Sequence, residues 1–268
     1  MKWLSRVYNS IIFLFLYLPI VVLMIFSFND SKNRAQWKGF TLDWYSDLFH
    51  NELILESLKV TLLVAVLAAI VATIIGTAAA VGIHGMNNRM KRAFLFVNNI
   101  PMVNPEIVSG VALMLTFVFV YHATGLLRPG FATLLIAHIT FCIPYVVLQV
   151  MPKLRQMNRH MYEAALDLGC SPISAFVRVV IPEIAPGITT GALMAFTISL
   201  DDFVISYFNA GSTAQTLSVT IYSMTKKPVT PEINALSTLM FGAVLFLLLL
   251  VNFGQIRDDA RKAKAARR

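Results

Sequence analysis

Charge is scarce in this 268-residue chain. Only 13% of residues are Asp, Glu, Lys or Arg, 57% are hydrophobic, and mean hydropathy is +0.70. That balance excludes an ordinary soluble domain and predicts a polytopic membrane protein. Cysteine is nearly absent: Cys142 lies in an apolar run and Cys170 in a polar one, with no CxxC pair and no disulfide framework. Five histidines (His50, His84, His122, His138 and His160) are scattered without HExxH or comparable spacing, so no metal site is expected. No GxxxxGK[ST] phosphate loop occurs, and the chain is not expected to bind ATP by itself. No constellation of nucleophile, base and orienting group recurs, so no catalytic residue is proposed and a membrane-embedded enzyme ranks last.

What is present is a set of long apolar runs. A helix needs about 20 apolar residues to cross the hydrocarbon core. Six segments qualify, about 11–28, 58–83, 93–121, 131–151, 184–206 and 233–253. They predict an all-α, six-span protein forming a single transmembrane domain over 1–268. The first run is longer than a signal-peptide core and is followed by no small-x-small site, so it reads as a retained span. The third is interrupted by Pro101 and Pro105 and reads as an interfacial or half-inserted piece followed by a span.

Orientation follows from the basic residues. With the N-terminus inside, fifteen of the 22 Lys and Arg fall on cytoplasmic segments and six outside, with Lys59 at a span boundary. The bias places both termini in the cytoplasm. The basic tail "RDDARKAKAARR" then fixes topology and meets anionic headgroups, and no nucleic-acid partner is expected.

The longest cytoplasmic loop, residues 152–182, carries readable local chemistry. Met161, Ala164, Ala165 and Leu168 share one helical face, and Gly169 supplies a left-handed stop. Ser171 before Pro172 has the form of an N-cap opening a second helix. A connector packed on its own protein would fit this chemistry equally well. The spacing is more specific. "EAALDLGCSPISAFVRVVIP" resembles the EAA loop of ATP-binding-cassette (ABC) importer permeases, with Glu163, Ala164, Ala165, Gly169, Val179, Ile181 and Pro182 at the matching positions. The resemblance implies a type I importer permease fold whose loop docks in a groove on a separate ATPase subunit. Glu163 would anchor that contact, Gly169 set the turn and the alanine face insert, with Pro182 closing the motif. ATP and Mg would be held by the partner, and this chain would carry no cofactor.

Further stretches, "SFNDSK", "GFTLDWYSDLF", "HITFCIPYVV", "FTISLDDFVIS" and "IYSMTKKPVTPEINALST", resemble the permeases of spermidine/putrescine importers over nearly the whole chain. The resemblance implies a bacterial inner-membrane polyamine importer. Its partners would be a homologous second permease, two ATPase subunits and a periplasmic or lipid-anchored binding protein.

Asp201 and Asp202 sit deep in the fifth apolar run, where an acid at a span's centre costs about 2.5–3.5 kcal/mol on insertion scales. Adjacent helical residues point about 100° apart. One acid can then face a translocation path while the other pairs with a partner or caps the loop. Alternatively the helix ends early and both are solvated boundary residues. A carboxylate in a polyamine path would supply charge-assisted hydrogen bonds, with Phe203, Tyr207 and Phe208 adding cation–π contacts. Glu106 is a second candidate, although Asn104 before Pro105 has the form of an N-cap and an acid in the first turn suits the helix dipole. Trp37, Trp44 and Tyr45 on an outside segment read as an interfacial aromatic belt. Other readings are an importer for iron or another amine, and a secondary carrier. The latter would show inverted repeats, and no convincing repeat is present.

Overall fold

Apolar runs flanked by prolines, glycines and capping residues become helices here because a backbone in hydrocarbon must satisfy its own hydrogen bonds. The computed structural model describes residues 2–31, 36–226, 232–246 and 249. In chain order the helices are α1 (Lys2–Phe26), α2 (Asp43–His50), α3 (Glu52–Gly85), α4 (Asn88–Val103), α5 (Glu106–Thr124) and α6 (Phe131–Gln156). They continue with α7 (Arg159–Asp167), α8 (Pro172–Ala175), α9 (Ile181–Asp201), α10 (Val204–Asn209), α11 (Leu217–Thr225) and α12 (Glu232–Phe246). A π turn, Phe176–Val180, joins α8 to α9. The one β feature among the described residues is an isolated bridge between Asn29 and Phe40.

Among the described residues, five helices are long and apolar enough to cross a membrane: Arg6–Phe26 of α1, α3, α5, α6, and the continuous stretch Pro172–Asp201. α12 is a shorter apolar helix, and the rest of the expected sixth span, apart from residue 249, lies outside the described residues, as does the basic tail.

Boundaries differ from the sequence expectation in instructive places. The third apolar run is two helices, α4 and α5, parted at Asn104, whose ψ of 140° is extended. A residue before proline is pushed out of the helical region, and Pro105 does this to Asn104. Pro101, in contrast, is accommodated inside α4. Asn104 is therefore the end of α4 and not the N-cap of α5; Pro105 holds that position without a side-chain bond. The expected loop 152–182 is shorter, because α6 carries its helical bonds through Pro152 to Gln156. The fifth span ends at Asp201, not 206.

The described residues form two compact units, one drawn from Met1–Glu56 and Ile221–Arg268, the other from Ser57–Thr220. In the second, α6 is the central element. Val146, Val147, Val150, Met151 and Leu154 are buried against Ala69, Ala72 and Ala80 of α3 and Ile184 and Ala195 of α9. α6 and α9 approach closely because α9 presents "GITTG" to α6. A Cβ at Gly187 would sit 2.9 Å from the Gln149 carbonyl oxygen, and one at Gly191 3.2 Å from Val146 Cγ1. Small residues at this spacing let spans pack by van der Waals contact where no hydrophobic drive exists between them.

In the first unit, the segment after α1 folds on itself. Asn29, 1% exposed, donates from Nδ2 to the Gln36 carbonyl and accepts from the Lys38 N–H. Trp44 Nε1 donates to the Asn29 carbonyl at 2.9 Å, and Tyr45 Oη meets Ser27 Oγ at 2.7 Å. Trp44 and Tyr45 thus tie this segment's own polar core together. Trp37 remains 52% exposed beside Phe26.

Candidate functional site

The two carboxylates stand where one helix stops and the next begins. α9 closes at Asp201, Asp202 turns extended (φ −65°, ψ 129°), and α10 starts at Val204. The break gives them opposite environments. The Asp202 side chain is 4% exposed; its Oδ2 accepts the Ser206 N–H at 2.7 Å and its Oδ1 the Ile205 N–H at 3.2 Å. It thereby satisfies orphan donors in the first turn of α10. Its Oδ2 also lies 3.6 Å from His138 Nε2.

His138, buried on α6, bridges Ser199 Oγ of α9 at Nδ1 (2.7 Å) and Ser206 Oγ of α10 at Nε2 (3.0 Å). Each hydroxyl both donates and accepts, so either neutral tautomer is served. The network reaches further. Asn209 donates from Nδ2 to the Gly110 carbonyl of α5 at 3.2 Å, and the Thr133 hydroxyl donates to the Asn209 carbonyl at 2.9 Å. Polar groups that would each cost about 1–3 kcal/mol if buried unpaired instead tie α5, α6, α9 and α10 together.

Asp201 points elsewhere. It is exposed, and no side-chain hydrogen bond or ion pair joins it to another described residue. Close by in sequence, Tyr207 is 47% exposed, with its ring 5.6 Å from Phe203 and 5.4 Å from Phe208. Phe208 lies against α5, where a Cβ added at Gly110 would come within 3.1 Å of its ring. Asn104, at the end of α4, and Glu106, at the start of α5, are exposed, with Glu106 one turn before Gly110 and on its face. The fold thus brings the α9–α10 junction and the start of α5 to adjoining elements, while Asp202 is withdrawn into the bundle. An exposed carboxylate at a junction whose next helix carries exposed aromatic rings suits an organic cation.

The second set of candidates lies on α7. Asn158 caps the helix by accepting the His160 N–H at 3.1 Å. Gly169 is left-handed (φ +87°), with its N–H on the Leu166 carbonyl and the Cys170 N–H on the Ala165 carbonyl. This paired closure is the usual glycine stop of a helix. Ser171 accepts the Ser174 N–H at 3.3 Å, opening α8 as its spacing predicts. Tyr162, partly buried, packs on the core through α7's inner face. Met161 and Ala164 are exposed on α7's outer side, Leu168 just beyond it is 87% exposed, and Ala165 is half-buried. Exposed Glu163 meets His160 Nδ1 at 3.2 Å through Oε2, and Pro182 is exposed in the first turn of α9. Met161, Ala164 and Leu168 thus give an exposed apolar face, with exposed Glu163 and Asp167 flanking it.

Sequence reasoning passed over His138 because its histidines showed no metal spacing. The signal was present in "LLIAHITF", since an ionisable residue inside a span is by default a candidate for special duty. Ser199 and Ser206 carried no such signal; only the fold brings them to one ring.

Residues 72–257 match the family described as "Binding-protein-dependent transport system inner membrane component". The chain is 41% identical over 234 residues to the putrescine transport system permease protein PotI of Escherichia coli, covering 87% of this chain and 83% of that one. It is 36% identical over 248 residues to the spermidine/putrescine transport system permease protein PotC of Haemophilus influenzae, covering 92% and 95%. Among solved structures, a bacterial ABC transporter involved in the import of the acidic polysaccharide alginate superposes with a TM-score of 0.72 at 14% identity, covering 94% of this chain and 95% of that one. That likeness is one of fold, the all-helical ABC importer permease. The chain belongs to the family of inner-membrane components of binding-protein-dependent transport systems.

Proposed function

We propose that this chain is the membrane-spanning permease subunit of an ATP-driven polyamine importer, forming half of the path for putrescine or spermidine. The observation that carries the cargo reading is the split between the two acids. Asp202 is consumed by backbone N–H groups, while the Asp201 side chain remains exposed and uncommitted at the same junction. In this reading Asp201, Glu106, Asn104, Phe203, Tyr207 and Phe208 line the path, and Asp202 holds the junction that positions them. The names of the relatives support the same cargo class.

The chain works in a bacterial inner membrane with both termini cytoplasmic. It pairs with a homologous permease, two ATPase subunits and an external binding protein, periplasmic or lipid-anchored. ATP and Mg reside in the ATPases, and this chain performs no hydrolysis. The uncovered face of α7 supports docking on an ATPase, with Glu163, Ala164, Ala165, Gly169 and Pro182 as the coupling elements.

The test is ATP-driven uptake into vesicles carrying the complete importer, offered putrescine, spermidine, ferric iron and a neutral sugar in parallel. Accumulation of a polyamine alone is the expected outcome. Accumulation of iron or the sugar without either polyamine would sink the cargo reading and leave the family membership intact.

A further inference from the structure

Away from the acids, a cavity of about 420 Å³ opens between the end of α3, the start of α4 and the end of α6. Its wall carries Lys91, Arg92, Arg155 and His84 over an apolar floor that includes Leu95 and Leu154, and no carboxylate lines it. None of the three permanent cations makes an ion pair with another described residue. Their internal commitments are slight. Lys91 Nζ lies 3.4 Å from both His84 Nδ1 and the His84 carbonyl, and Arg92 Nε donates to the Asn88 carbonyl at 3.3 Å. A lysine carries three donors and an arginine five, so most of this donor set faces the cavity or water unmatched. Complementing the C-terminal dipoles of α3 and α6 accounts for one cation at each helix end. It does not account for Lys91 and Arg92 together on α4, whose N-terminal dipole disfavours positive charge.

We propose that this cavity binds a phosphate-bearing anion, and specifically the headgroup of an anionic phospholipid. The choice of a lipid over a free phosphate follows from α4 itself. Directly beyond its basic first turns, α4 leaves Phe94, Phe96, Val97 and Ile100 between 47% and 72% exposed. Basic residues at one end and uncovered aromatic and aliphatic side chains at the other match a phospholipid in order, headgroup first and acyl chain after. The basic-residue bias puts this end on the cytoplasmic leaflet, where anionic lipid is met. The inference does not depend on which cargo the importer carries.

The experiment is native mass spectrometry of the full chain in detergent micelles, titrated with phosphatidylglycerol and, in parallel, phosphatidylcholine. Inorganic phosphate is added in a separate arm. The variants are Arg155→Gln on α6, Lys91→Gln with Arg92→Gln on α4, and Arg89→Gln, an exposed cation of the same turn outside the cavity. Thermal unfolding of each variant confirms that it is folded, and Arg155→Gln keeps the test alive should the α4 pair unfold. The expected result is preference for phosphatidylglycerol, weakened about fivefold per cavity cation removed and unchanged in Arg89→Gln. Displacement of the lipid by millimolar phosphate, with the same dependence on Arg155, would uphold the phosphate site and name a soluble anion as its occupant. Equal loss in Arg89→Gln and Arg155→Gln, or equal binding of the two lipids, would overturn the proposal.

Discussion

A carboxylate that accepts two backbone N–H groups has little left to offer a passing ammonium, and Asp202 is in that position while Asp201 is not. Separate readouts follow for the two. Asp202→Asn keeps the shape but gives up charge-assisted acceptance at the α10 turn, worth about 1–3 kcal/mol. Its main effect is expected in thermal unfolding of the purified chain, where a clear fall in melting temperature checks it. Asp201→Asn gives up no side-chain hydrogen bond or ion pair to a described residue and is expected to change stability by no more than about 0.5 kcal/mol. His138→Leu should resemble Asp202→Asn, since it removes the partner that Ser199 and Ser206 share. A melting temperature for His138→Leu equal to wild type would show that the network is not structural. In sequence, "LDDF" announced two candidate acids but could not sort them. That sorting depends on where α9 ends, and helix ends are set by partners one or two turns away.

At the level of elements, glycine marks one left-handed turn and one close approach of helices. Gly169 at φ +87° ends α7, and Gly169→Ala is expected to cost about 1–2 kcal/mol of local order. The check is ATPase activity of the assembled importer driven by loaded binding protein, which should fall while basal hydrolysis in the isolated ATPase is untouched. Gly187→Val puts atoms onto the Gln149 carbonyl and the Lys153 chain, so α6 and α9 must part. The expected outcome is a large loss of folded protein in detergent, read by size-exclusion profile and melting. The α7–α8 turn was legible from "LGCSP" because both its signals are local, a left-handed glycine and a Ser-Pro cap. The α4–α5 break was half legible: Pro105 made it and Pro101 did not. Proline inside a span is tolerated when neighbouring groups satisfy the freed carbonyls, and one sequence does not reveal those neighbours. "GITTG" in turn names a close approach without naming α6 as the helix approached.

For the whole molecule, composition and basic-residue bias carried the membrane class, and the family match now supports it. What they could not carry is the large apolar surface on the single chain. On α1, Phe13, Leu14, Phe15 and Leu16 are 59–78% exposed, a surface suited to lipid. The proposed orientation has its own check. With Cys170 first changed to Ser, a cysteine placed at exposed Ser171 should react with an impermeant thiol reagent only from the cytoplasmic side, and one at Arg128 only from outside. The reverse pattern would invert the topology. The central claim, that an uncommitted carboxylate at the α9–α10 junction selects a polyamine, is tested most directly by uptake of labelled putrescine and spermidine. Vesicles bearing the complete importer would be compared as wild type and Asp201→Asn, with melting temperature measured on the same preparations. The account predicts transport reduced about tenfold or more at unchanged stability, the size expected for one charge-assisted hydrogen bond of about 1.5–3 kcal/mol. Wild-type uptake by a stable Asp201→Asn importer would contradict it.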